Sequence, residues 1–90
     1  MSSTNFLTIR ESLNTARTKA RTMTWADTTH SVSFTIPTTS GERELFFDRD
    51  GKIVGIMLNG DYEPTKPLGD HAIYGGWCVI CGEDEDFLSR

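Results

Sequence analysis

The chain has 90 residues, of which 37% are hydrophobic and 24% are charged, and its formal net charge at pH 7 is −4. This length predicts a single α+β domain, over residues 1–90, with a hydrophobic core of modest size. The sequence has no apolar run of about 18 residues, which argues against a membrane-spanning helix. It also lacks the apolar core of a secretory signal peptide near its start. We therefore expect a cytoplasmic protein with reduced cysteines.

Charge is distributed unevenly along the chain. Residues 1–25 contain four basic residues and one acidic residue, whereas residues 26–90 contain five basic and twelve acidic residues. Neutralisation of phosphates by Lys and Arg is the main source of affinity for nucleic acid. An acidic chain of this kind is therefore not expected to bind nucleic acid directly.

The N-terminal segment predicts an amphipathic α-helix over about residues 6–23. Hydrophobic residues recur there at steps of three and four positions, which place them on one helical face: Phe6, Ile9, Leu13, Ala16, Ala20 and Met23. The opposite side carries a basic stripe of Arg10, Arg17 and Arg21. Because guanidinium groups match phosphate geometry, this stripe is a secondary candidate binding surface. The alternative is an ordinary solvated helix face.

After Trp25 the sequence alternates between apolar and polar residues, as is typical of strands. We predict strands at about residues 31–36, 43–48, 52–58 and 72–81. Pro37 is expected to end the first strand, and turns are expected at Thr38–Gly41 and Asp48–Gly51. The third strand is apolar on both faces and is expected inside the sheet. The predicted fold is an N-terminal amphipathic helix packed on one face of a roughly four-stranded antiparallel sheet.

Near the C-terminus, Cys78, Cys81 and Gly82 form a Cys-x-x-Cys-Gly motif. The motif resembles one knuckle of a rubredoxin or zinc-ribbon site. A structural zinc site of that kind needs four ligands, usually from a second such pair, and the sequence contains no second pair. The two histidines, His30 and His71, do not stand at a common zinc spacing.

The local pattern also argues against a metal at this motif. In a straight strand, residues three apart face opposite sides of the sheet, and the β-branched Val79 and Ile80 favour a straight strand. We therefore predict that Cys78 and Cys81 pack on opposite faces of the last strand, and that no metal or cofactor binds. The acidic run that follows is expected to raise the thiol pKa. The alternative is a metal-dependent dimer in which each chain donates its cysteine pair.

Catalytic motifs are not found in the sequence. It has no Gly-x-Ser-x-Gly, Walker loop, His-Glu-x-x-His or dinucleotide fingerprint. We predict no catalytic residues and a non-enzymatic protein.

Glycines at positions 75 and 76 interrupt the last predicted strand. Glycine within a strand indicates close approach of another group, which would be the helix or a ligand ring stacked on Tyr74 or Trp77. An alternative function is therefore a small-molecule or nucleotide-binding module. Its pocket would use the loop from Tyr62 to Tyr74, Trp77 and an arginine.

The tail at residues 83–90 is the leading candidate for a binding surface; the alternatives are a solubilising tail or a tail that pairs with the basic stripe of the N-terminal helix. Four acidic residues precede an apolar pair: Glu83, Asp84, Glu85, Asp86, Phe87 and Leu88. Acidic side chains steer the encounter with a basic site, and buried apolar side chains hold the complex. The predicted partner is a larger protein, or a protein–nucleic acid complex, with a basic surface. The chain would act as a monomer or homodimer.

The chain as a whole is short, acidic, rich in threonine and without a catalytic set. In this general character it is similar to small phage or mobile-element proteins that inhibit host defence complexes, anti-CRISPR proteins among them. The similarity implies an inhibitor that works in the host cytoplasm.

Overall fold

The structure, a computed structural model, describes residues 6–90, with side chains from residue 8 onward. Helix α1 spans Phe6–Thr22. Seven strands, β1 to β7, follow at Val32–Thr38, Gly41–Phe47, Ile53–Leu58, Asp61–Pro64, Lys66–Leu68, His71–Tyr74 and Trp77–Cys78. A short helix, α2, spans Glu85–Leu88. Strands β1 to β4 form one antiparallel sheet in sequential order, and β5 to β7 form a second, smaller one.

The predicted fold class is confirmed, since α1 packs against a four-stranded antiparallel sheet. The buried face of α1 consists of Ile9, Leu13, Ala16 and Ala20, which are at most 6% exposed. The 3.6-residue period of the helix puts these side chains on one side, where they meet β1 and β2. The Phe6 side chain lies outside the described residues. Met23 follows the helix and is exposed.

Strand β3 lies between β2 and β4, as predicted from its two apolar faces. Asn59 and Gly60 both have positive φ and join β3 to β4 in a two-residue turn. The expectation that Pro37 ends the first strand is wrong, because β1 continues to Thr38. Proline is tolerated at that position because β1 is an edge strand of the sheet.

The continuous strand predicted over residues 72–81 is replaced by a hairpin and a turn. Gly75 and Gly76 have φ values of 64° and 86° and form the two-residue loop that pairs Tyr74 with Trp77. Positive φ at both positions is the requirement of a type I′ turn, which glycine meets without strain. The glycines therefore reverse the chain, and the interpretation that they admit a helix or ligand within a strand is wrong.

In the part of the chain that the structure describes, no helix combines the length and apolar character needed to cross a lipid bilayer.

Candidate functional site

Both cysteines lie around a turn at residues 79–81, directly after β7. The Gly82 N–H donates to the Cys78 carbonyl at 2.9 Å and closes this turn. The N–H groups of Ile80 and Cys81 lie 3.4 and 3.5 Å from Cys78 Sγ. The prediction that the two cysteines lie on opposite faces of a straight strand is therefore wrong.

The turn forms because it buries two large side chains that a straight strand would separate. Val79 and Ile80 are 1% and 4% exposed, although consecutive residues of a strand face opposite sides of the sheet. The Val79 N–H donates to the Ala72 carbonyl at 2.9 Å, and the Ile80 carbonyl accepts from the Thr39 N–H at 3.0 Å. Hydrophobic burial thus outweighs the β-propensity of these residues.

His71, at the start of β6, completes a cluster with the two thiols. Its Nδ1 atom lies 3.5 Å from Cys78 Sγ and 3.6 Å from Cys81 Sγ. One potential ligand atom from each residue lies within 4.8 Å of the other two. Cys78 is buried, whereas His71 and Cys81 are half-buried. Imidazole and thiolate groups are the ligands that Zn²⁺ prefers in proteins.

The two thiols have different acidities. Burial raises the pKa of Cys78, but hydrogen bonds from backbone N–H groups and the His71 side chain outweigh burial and lower the pKa to about 7. Burial raises the pKa of Cys81, and the neighbouring Cys78 raises it further. The expectation that the acidic run raises the thiol pKa therefore has the right direction for Cys81 and the wrong one for Cys78.

A cavity of about 200 Å³ adjoins the cluster on its exposed side. It is lined by α1 residues that include Arg10 and Arg17, and by Asp70, His71 and Cys81. A small molecule or water in this cavity would therefore reach the exposed side of the thiol–histidine cluster.

The acidic segment at residues 83–90 is attached to the β6–β7 hairpin. The Cys78 N–H donates to the Glu83 carbonyl, and the Glu85 N–H donates to the Gly76 carbonyl, both at 2.8 Å. A β-bridge joins Trp77 to Asp84. The same backbone that positions the first cysteine therefore also positions the acidic segment.

The candidate side chains of this segment have different environments. Glu85 is half-buried and forms an ion pair with Lys66. The three remaining acidic side chains are exposed: Glu83, Asp84 and Asp86. Leu88 packs against the core, whereas Phe87 is 59% exposed. The structure thus presents three acidic side chains and one aromatic ring to solvent on a short ordered segment.

Arg17 and Arg21 of the basic stripe donate hydrogen bonds to backbone carbonyls in turns of the two sheets. Arg17 Nη2 donates to the Asp70 carbonyl at 3.1 Å, and Arg21 Nε donates to the Asp50 carbonyl at 2.9 Å. These bonds fasten α1 to two turns of the sheets. Arg10, the third member, is exposed.

The aromatic candidates do not line the cavities beside α1 in the described part of the chain. Tyr62 donates to the Val54 carbonyl at 3.2 Å and meets Phe46 edge-on. Tyr74 donates to Glu63 at 3.3 Å, and the charge of that carboxylate is the main reason why the pKa of Tyr74 is raised. Trp77 is half-buried against the core.

His71 was not assigned to any site from the sequence, yet it lies beside both cysteines. The Gly75-Gly76 pair was a sequence signal that could have located His71, because two adjacent glycines are typical of a two-residue hairpin loop. The resulting register pairs Ile73 with Cys78. This register places His71, the first residue of β6, beside the residues that follow Cys78.

Comparisons of the chain with models of protein families, with curated proteins and with solved structures find no match.

Proposed function

We propose that this chain is a small, non-enzymatic binding protein that engages a basic site of a larger protein through residues 83–88. The observation that carries the proposal is the exposure of Phe87, which at 59% exceeds that of Met23 and Tyr62, the other exposed large hydrophobic residues among those with described side chains. Exposed aromatic rings are common anchors of protein interfaces.

Charge complementarity specifies the chemistry of the partner. Glu83, Asp84 and Asp86 precede Phe87 along the chain and are exposed, so they attract a basic surface and steer the encounter. Glu85 is excluded from this contact set, because its carboxylate pairs with Lys66. Leu88 supports the segment from beneath by packing on the core.

In its finer form, the proposal is that the basic site binds nucleic acid in a host defence complex of the kind that phage inhibitors target. The exposed carboxylates of this chain occupy the positions on the partner's basic site that nucleic-acid phosphates take. The bound chain therefore blocks access of nucleic acid to that site. This form is supported by the acidic segment and by the small size of the chain. It predicts that the chain and nucleic acid compete for the same partner.

Neutralising the exposed acids is expected to abolish capture of the partner from a lysate of the source cells. The test variant carries Glu83→Gln, Asp84→Asn and Asp86→Asn. The matched control carries Asp27→Asn, Glu42→Gln and Glu44→Gln, three exposed acids elsewhere on the chain. A second variant, Phe87→Ala, is expected to weaken binding about 30-fold, since interface anchors contribute about 2 kcal/mol.

Capture is quantified by mass spectrometry of proteins eluted from the immobilised chain over a salt gradient. The proposal expects one partner that the control variant retains, that the test variant loses, and that high salt releases. Equal capture by the test variant and the unmodified chain would contradict the proposal.

A further inference from the structure

The thiol–histidine cluster has the geometry of a metal site. In tetrahedral zinc sites the Zn–S distance is about 2.3 Å and the Zn–N distance about 2.0–2.1 Å, which separates S from N by about 3.6 Å. The two S···N distances in the cluster are 3.5 and 3.6 Å. His71 Nδ1 therefore lies at nearly the distance from each sulfur that a bound ion requires, and all three ligand atoms lie within 4.8 Å of one another.

We propose that His71, Cys78 and Cys81 bind one Zn²⁺ ion per chain. This site goes beyond the proposed partner surface and holds whether or not Phe87 contacts a partner. In the described part of the chain, these residues form the one such group of three His, Cys, Asp or Glu side chains. Thiolate and imidazole ligands together favour zinc over hard cations such as Mg²⁺ and Ca²⁺.

The charges of this site balance. Both cysteines bind as thiolates, and their two negative charges neutralise the charge of the ion. A neutral assembly suits the position of Cys78, which is 0% exposed, because an unpaired charge there would be costly. The N–H groups of Ile80 and Cys81 face Cys78 Sγ. They stabilise its thiolate in the manner of outer-shell hydrogen bonds at metal sites.

Three protein ligands leave a fourth coordination position open, and a cavity of about 200 Å³ that His71 and Cys81 line adjoins the site. Cys78 closes the buried side of the site, so this cavity is the side from which a further ligand can approach. We assign the fourth position to water. Three protein ligands and one water complete a tetrahedral shell, so the site requires no second copy of the chain.

Bound zinc would tie the start of β6, the middle strand of the smaller sheet, to the segment that follows β7. His71 begins β6, and Cys81 lies beyond β7. The strands of this sheet have only three, four and two residues, which is short for a stable sheet. Because metal binding in small domains contributes directly to folding stability, zinc is expected to stabilise the smaller sheet.

Titration of the reduced, metal-free full chain with Co²⁺ tests the site without any variant. One equivalent per chain is expected to produce the visible bands of tetrahedral Co²⁺ and the near-ultraviolet bands of thiolate-to-Co²⁺ charge transfer, and Zn²⁺ is expected to bleach both. A chain that gives neither band, or that gives the visible bands without charge transfer, would overturn the proposal.

Three variants assign the ligands: His71→Asn, Cys78→Ser and Cys81→Ser. Each is expected to weaken Zn²⁺ binding by about 100-fold or more, because even outer-shell changes cost up to about 100-fold. The charge-transfer intensity is expected to fall by about half in either cysteine variant, given one remaining thiolate. His30→Asn is the matched control, since His30 is exposed and outside the cluster.

The stoichiometry separates this site from a shared one. Half an ion per chain in a dimer, with affinity unchanged by His71→Asn, would overturn the proposal in favour of a four-cysteine site between two chains. Circular dichroism of each variant checks that it is folded, and His71→Asn is the decisive variant because the half-buried side chain tolerates replacement better than the buried Cys78.

Discussion

Replacing Phe47 by Ala is expected to lower the free energy of unfolding by about 3–5 kcal/mol. Phe47 is 0% exposed and packs edge-on against Phe34, with ring centroids 5.7 Å apart. Loss of the ring leaves a cavity in a close-packed core, and the neighbouring strands refill it only in part. Small domains are stable by only about 5–15 kcal/mol, so this loss is a large share of the total. Urea denaturation of the unmodified chain and the variant measures this change in the free energy of unfolding.

The matched control is Phe87→Ala, the same chemical change at a side chain that is 59% exposed. It is expected to change the free energy of unfolding by no more than about 0.5 kcal/mol. Equal losses of unfolding free energy in the two variants would contradict the placement of Phe47 in the core and Phe87 at the surface. The control has a second use, since a stable Phe87→Ala protein shows that any loss of partner binding comes from the surface itself.

Replacing Gly51 by Ala is expected to cost about 2–4 kcal/mol, from backbone strain and overpacking together. Gly51 has a φ of 83°. An added Cβ would lie 2.9 Å from Arg21 Nε and 3.2 Å from the Arg17 carbonyl oxygen. The arginine side chain can move, but the carbonyl belongs to α1. Relief of that contact therefore requires the helix to shift away from the sheet.

Gly60→Ala separates strain from crowding. Gly60 has the same φ of 83°, and an added Cβ there would meet no atom within 4 Å. Its expected cost is the strain alone, about 1–2 kcal/mol. Urea denaturation of both variants gives the contribution of the helix contact as the difference between them. Equal costs would contradict the close packing of α1 on the Asp48–Gly51 turn.

Elements with a strong period were predictable from the sequence. Apolar steps of three and four placed α1, the alternating residues after Trp25 placed β1, and runs rich in apolar residues bounded by turn residues placed β2 and β3, all to within a few residues. These signals are local, because the residues of each pattern lie close together in the sequence. The Pro37 error arose because the edge position of a strand depends on the order of the whole sheet.

The candidate site was less predictable because it depends on contacts between segments. The cysteine pair was visible in the sequence, but its geometry follows from burial of Val79 and Ile80 in a core that several elements build. His71 reaches the cysteines only through the hairpin register set by the glycine pair. Likewise, Leu88 contacts the core, whereas Phe87 is exposed. Two adjacent apolar residues in the sequence do not specify which of them will make this contact.

The coordination shell of bound zinc is the most direct test of how residues 71–81 are organised. Zinc K-edge X-ray absorption of the loaded full chain is expected to show two sulfur neighbours at about 2.3 Å and two nitrogen or oxygen neighbours at about 2.0–2.1 Å. That shell corresponds to Cys78, Cys81, His71 and water. A shell of four sulfur atoms, or one without sulfur, would contradict the site.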